Sequence, residues 1–195
     1  MTESPCRRAA PLAPQERRQA IVAAVTPLLA ERGDAVTTRE LAHAAGVAEG
    51  TIFSVFDDKD AVLDAVFEAV IDPAPFERSV AELSRSDRGE DFEELLVRVT
   101  ALMQERFRTI WRIVSTIGHR HDRPRDALPD SEALTDLLAA HSDRLGVDPR
   151  EAGRLLRSLT FAQSHPLLTP EPASPARIVD VLLHGIGVDV GERRS

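Results

Sequence analysis

The chain has 195 residues, 43% of them hydrophobic and 29% charged, enough for a core shared between one small and one larger domain. No run approaches ~18 uninterrupted apolar residues, so no transmembrane helix is expected. The net charge of −8 excludes general coating of nucleic acid, which draws its affinity from basic side chains neutralising phosphates, and a single cysteine, Cys6, excludes an internal disulfide framework.

Residues 1–14 hold three prolines and no helical period, with Arg7 and Arg8 lacking any apolar run behind them. They read as a mobile leader rather than a signal peptide, and the protein is expected in the cytoplasm. A basic arm of this kind has the chemistry to touch a minor groove or phosphates. The first helix is expected from Gln15 to Glu31, with Ile21, Val25, Leu28 and Leu29 at helical spacing and Gly33 ending it. Thr37 with Glu40 three residues on makes a capping box for the second helix. Leu41, Ala42 and Ala45 line one face of that helix, Gly46 supplies a left-handed turn, and Val47, Ile52 and Phe56 resume the apolar face. Two helices joined in this way form a helix-turn-helix, whose second helix enters the major groove of DNA. Lys59, the only lysine, suits a phosphate contact, and Asp57, Asp58 and Asp60 around it mark the amino terminus of another helix. Residues 1–60 carry seven basic and nine acidic side chains, so the basic ones must gather on one face to meet DNA.

The run Thr38-Arg39-Glu40-Leu41-Ala42, then Ala45-Gly46-Val47, Gly50-Thr51-Ile52-Phe53, Phe56, Lys59 and Leu63 resembles the amino-terminal domain of TetR-family transcriptional regulators, strongly over about Gln15 to Val70. The resemblance implies an all-α protein: an N-terminal three-helix helix-turn-helix domain plus a C-terminal helical ligand-binding and dimerisation domain. It implies that Thr38 and Lys59 hold phosphates, that Arg39 reaches a base or a phosphate, and that Thr51 positions the recognition helix. Glu49, Gly50, Ser54 and Val55 would face the groove, and Phe53 would meet a thymine methyl or join the core, whereas Phe56 belongs to the core. Many relatives carry a serine cap, a following basic residue and a tyrosine or histidine where this chain has Ala48, Glu49 and Val55. The groove face is therefore thin in donors, and operator contact is expected to be modest and strongly salt dependent.

A helix from Lys59 to Ile71 links reader to sensor, and Asp72-Pro73-Ala74-Pro75 breaks it. The expected division is leader 1–14, helix-turn-helix 15–60, linking helix 61–72 and ligand-binding and dimerisation domain 73–195. A short helix from Phe76 to Leu83 precedes the longest periodic segment, Glu90 to His119, which would span roughly 40 Å at ~1.5 Å per residue. Its Met103, Gln104, Phe107, Trp111 and Ser115 are candidates to line an effector pocket, while Arg106, Arg108 and Arg112 are read as solvated. His119, His121 and Asp122 have ligating chemistry but point in different directions from a helix end, so no metal site is expected and no cofactor is implied. Further helices follow from Ser131 to Leu145, Asp148 to Ser164 and Pro175 to Ile186. In the family the last two form a dimer interface, here Leu155, Leu156, Leu159, Ile178, Val179, Leu182, Leu183 and Ile186.

No phosphate loop, nucleophile elbow or paired metal motif is present, so the chain is not read as an enzyme. The reading is a ligand-responsive homodimeric repressor of a palindromic double-stranded DNA operator, with a small hydrophobic or amphipathic effector and no membrane partner. The rival is a helical ligand-binding or protein-interaction module whose helix-turn-helix has weak or lost DNA affinity, motivated by the acidic reader and Glu49.

Overall fold

The computed structural model describes residues 13–87, 89, 91–117 and 129–186. The leader with Cys6, Arg7 and Arg8, and the stretch with His119, His121 and Asp122, lie outside the described residues. Nine α-helices occur among the described residues: α1 (Pro14–Arg32), α2 (Thr38–Ala44), α3 (Glu49–Val55), α4 (Lys59–Ile71), α5 (Ala74–Ser86), α6 (Phe92–Ile117), α7 (Glu132–Ala139), α8 (Pro149–Ser164) and α9 (Pro175–His184). No helix among these residues is long and apolar enough to cross a membrane.

The chain divides into two units. The first runs to Val70 and includes the end of α6 from Arg112; the second begins at Ile71 and holds the rest. The linking helix expected over 61–72 corresponds to α4, which falls in the first unit as far as Val70. Its Val62, Leu63, Ala65 and Val66 are buried in one cluster with Ile21, Val25, Leu29, Leu41, Ile52 and Phe56, and Ile113 and Ile117 close the same core. A helix whose apolar stripe is needed by its neighbours cannot swing away from them.

Local chemistry sets the turns of this unit. Thr37 Oγ1 accepts the Glu40 N–H at 3.3 Å while Glu40 Oε2 accepts the Thr37 N–H at 2.8 Å, closing the capping box of α2. At its other end Gly46 N–H reaches His43 O at 3.1 Å and Val47 N–H reaches Ala42 O at 3.0 Å, the paired bonds of a Schellman turn. Gly46 takes φ +65° there. Gly33 takes φ +60° for a further reason, since a Cβ on it would lie 2.3 Å from the carbonyl oxygen of Thr116 in α6. Thr116 Oγ1 donates to Arg112 O at 2.7 Å and lies 3.2 Å from Leu29 O.

In the second unit α5, α7, α8 and α9 pack around the first part of α6, with Val80, Leu95, Leu96, Val99, Leu137, Leu138, Leu156 and Ile178 inside. Side-chain caps start three of these helices: Ser131 accepts from Leu134 N, Asp148 from Arg150 N and Ser174 from Arg177 N. Two boundaries differ from the sequence reading. Pro75 falls within the first turn of α5, where a missing N–H costs nothing, so this helix starts earlier than Phe76. The expected Ser131–Leu145 helix stops at Ala139 and gives way to a turn and a short 3-10 segment, Ser142–Arg144.

Replacing the two left-handed glycines by alanine is expected to give unequal losses of stability in denaturant titrations. Gly46→Ala, with open space around its Cβ, should cost about 1 kcal/mol from backbone strain alone. Gly33→Ala adds a backbone clash to that strain and should cost about 3 kcal/mol or more. Equal losses would show that the Gly33–Thr116 approach does not constrain the core.

Candidate nucleic-acid interface and ligand cavity

The reader face is built by what α3 buries. Ile52 is fully buried and Phe56, just past its end, nearly so, with the Arg18 guanidinium 4.4 Å from the Phe56 ring centroid. Those two anchors turn Glu49, Gly50, Phe53 and Ser54 to solvent, and Phe53 is 51% exposed. Ser54 Oγ donates to Thr51 O at 2.8 Å, which leaves the hydroxyl oxygen available as an acceptor. Arg39 is exposed on the first turn of α2, and Thr38 and Thr51 are half-buried in the first turns of α2 and α3.

Two expected reader residues stand differently. Val55 is half-buried and packs on the core of the unit, so it does not belong to the groove face. At about 100° per residue Val55 lies to one side of the face that Ile52 buries. Lys59 donates from Nζ to the carbonyl oxygen of Asp34. An ammonium has three donors, so this tether orients the side chain and leaves protons for a phosphate.

Glu40 carries the electrostatic signature of the capping box. The Thr37 backbone N–H, the Thr37 hydroxyl and the Arg32 guanidinium at 2.6 Å together lower its carboxyl from 4.5 to about 2.

The second unit contains a cavity of about 240 Å3. Its apolar floor comes from Met103, Phe107 and Ile110 on α6 with Phe161 on α8, Phe107 and Phe161 meeting edge to face at 5.4 Å. Of the five residues expected to line it, Met103 and Phe107 do so and three do not. Gln104 is buried and spends its amide on Ala173 O at 2.8 Å, tying α6 to the residue before the α9 cap. Trp111 lies against His165, ring centroids 4.1 Å apart. Ser115 is exposed and belongs to the other unit, its hydroxyl on Arg112 O. A 26-residue helix shows different faces along its length, and a single apolar stripe in the sequence does not distinguish core from cavity.

The cavity's polar wall was not among the residues singled out in the sequence. Arg150, Arg154 and Arg157 lie on one stripe of α8 and converge on Asp130. Arg154 makes the close contacts, 3.0 Å from Nε and 2.7 Å from a terminal nitrogen, and this bond is the main cause that lowers the Asp130 carboxyl below its usual value. Arg106, read as solvated, is instead half-buried and donates to Ile71 O at 2.7 Å and Asp72 O at 2.6 Å. Burial lowers its pKa, and Asp72 and Glu77 oppose the shift. Three arginines spaced i, i+4, i+7 beside an aromatic at i+11 were the available sequence signal.

The expected interface residues divide by the same helical logic. Leu156, Ile178 and Val179 are core of their own unit, and Leu159, Leu182 and Leu183 are half-buried against it. Leu155 and Ile186 are exposed, together with Phe161, Leu167 and Leu168. No cluster of three or more His, Cys, Asp or Glu side chains with metal-holding geometry occurs among the described residues.

Residues 21–66 match the family model of bacterial regulatory proteins, tetR family. Solved structures with the same fold include a TetR-family transcriptional regulator of Mesorhizobium loti, 14% identical, with 89% of this chain and 96% of that one aligned at a TM-score of 0.60. The SmeT–triclosan complex aligns over 87% of this chain and 89% of its own at 22% identity and a TM-score of 0.53. FadR of Bacillus subtilis in complex with stearoyl-CoA aligns over 87% and 99% at 17% identity and 0.52.

The depressed Glu40 carboxyl gives a pH dependence of definite sign. With a folded value below the unfolded one, its stabilisation is complete above about pH 4.5 and is lost as the pH falls toward 2. Glu40→Gln should therefore lessen the loss of unfolding free energy between pH 6 and pH 2.5 in acid titrations. An unchanged acid limb in this variant would rule out the capping box as its source.

Proposed function

We propose that this chain, whose residues 21–66 match the family model of bacterial regulatory proteins, tetR family, acts as a homodimeric repressor of a palindromic operator, releasing DNA when a small hydrophobic or amphipathic effector fills the cavity. The observation that carries this reading is α3, held by Ile52 and Phe56 so that Glu49, Gly50, Phe53 and Ser54 face outward as a unit. Phe53 offers an apolar surface to a thymine methyl, and Glu49 can accept from cytosine. Thr38, Thr51 and Lys59 contact phosphates, and Arg39 reaches a base edge or a phosphate. The protein works in the cytoplasm, where its operator is.

The effector half of the reading is supported by a cavity with an apolar floor and a charged wall, and by two relatives of the same fold solved with triclosan and with stearoyl-CoA. Linkage sets the requirement on mechanism: the effector must bind the DNA-releasing geometry more tightly than the DNA-holding one. Dimerisation is supported by the exposed Leu155, Leu167, Leu168 and Ile186, a set of apolar side chains that a monomer leaves wet.

Gel shifts against the gene's own promoter region, at low and physiological salt, test the DNA half. Sequence-specific retention that weakens steeply with salt is expected, and absence of retention even at low salt would favour the rival reading of a module without DNA affinity. Arg39→Ala should weaken operator binding by about tenfold, in line with loss of one specific contact. For the assembly, Leu155→Glu is expected to shift the protein from dimer to monomer in sedimentation while its helical circular dichroism stays unchanged. A variant that remains dimeric would move the interface elsewhere.

A further inference from the structure

We propose that thymine methyl groups carry the base specificity of α3, with Phe53 as the residue that reads them; this rests on the DNA-binding reading above and narrows it to one chemical feature of the operator. The outward set of α3 is Glu49, Gly50, Phe53 and Ser54. None of the four has a side-chain donor to give. Gly50 has no side chain, Phe53 has no polar atom, and the carboxylate of Glu49 accepts only. The Ser54 hydroxyl spends its proton on Thr51 O at 2.8 Å and presents lone pairs.

That composition decides what the face recognises in a major groove. Guanine shows two acceptors there, N7 and O6, adenine shows its N7 and thymine its O4. An acceptor placed against any of these leaves both groups unpaired. The groups that remain for α3 are the amino groups of adenine and cytosine and the C5 methyl of thymine. A carboxylate accepts from either amino group and does not by itself tell the two bases apart, whereas the methyl belongs to thymine alone. Guanine, which needs donors, is left to groups outside α3 such as the Arg39 fork.

Phe53 is the side chain placed to meet the methyl. Among the described residues of the first unit it is the one large hydrophobic that is exposed. A lone exposed ring is ordinary on a protein surface; this one stands four residues from Glu49, so the acidic and the apolar contact share one row of the helix. Four residues advance about 6 Å, less than two base-pair rises of ~3.4 Å, so both contacts fall within about two base pairs of each other. Ile52 is fully buried beside the ring, and α3 cannot turn Phe53 inward without bringing Ile52 out.

Gel shifts with two preparations of the gene's own promoter region test the assignment, one made with thymine and one with deoxyuridine in its place, so that they differ only in the C5 methyls. The full chain should bind the thymine fragment more tightly, by about fourfold for each half-site, the factor for burying one methyl group. Phe53→Ala should bind the thymine fragment more weakly and no longer distinguish the two. Its helical circular dichroism should match that of the parent chain, since the ring is no part of the core. If Phe53→Ala binds neither fragment, Phe53→Leu, which keeps an apolar end at the same place, decides: a thymine preference supports the proposal and equal binding overturns it.

Equal binding of both fragments by the parent chain, or an undiminished thymine preference in Phe53→Ala, would overturn the proposal and leave sequence-specific DNA binding standing. Absence of specific retention of the thymine fragment sinks the DNA-binding reading itself and the methyl assignment with it.

Discussion

A seven-residue helix cannot hold its own shape in water, so the recognition helix exists only because Ile52 and Phe56 are buried. That burial is the constraint on which the first unit depends. It fixes the rotation of α3, and the rotation decides which side chains meet solvent. The Schellman turn at Gly46 sets where α3 begins relative to α2, and Leu41 and Ile52 then fall into one core with α1 and α4. The same core extends to Ile113 and Ile117 of α6, whose approach to Gly33 leaves no room for a side chain. The solvent-facing Glu49, Gly50, Phe53 and Ser54 are consequently held on a well-determined support.

Helix α8 performs three tasks by having three stripes. Ala152, Gly153, Leu156 and Thr160 are buried against the neighbouring helices of the second unit. Arg150, Arg154, Arg157 and Phe161 line the cavity, and Leu155 stands in solvent. Gly153 faces Leu134 and Leu138 of α7, where a Cβ would make ordinary contact at 3.6 Å. Arg150 and Arg154 are exposed enough for solvent to weaken their ion pairs with Asp130, so the stabilising value of these pairs is small.

Much of the reader was legible because its signals are local. The Thr37–Glu40 box, the Gly46 turn and the acidic start of α4, where Asp58 accepts the Ala61 N–H at 2.7 Å, involve residues within a few positions of one another. Phe56 was legible as core because it shares a helical face with Ile52. Lys59 was not, since its tether is to Asp34, 25 residues away, and no periodicity encodes such a bond. In the second unit Met103 and Phe107 were legible as an apolar stripe, but Gln104 finds its partner 69 residues later at Ala173. Leu155 and Leu156 are adjacent and chemically identical, and only the direction of one helix separates a solvent-facing side chain from a fully buried one.

By itself the sequence determined the helical class, the Thr37–Glu40 capping box, the Gly46 turn and the acidic start of α4, because hydrogen bonds and apolar repeats spanning three or four residues are written directly in the order of side chains. Tertiary structure alone decided that α4 belongs to the reader's core, that three arginines gather on Asp130 beside an apolar floor, and which leucines of α8 and α9 are buried. Each of those outcomes depends on how far helices rotate when distant stripes compete for the same interior, and that competition is settled only when the chain packs.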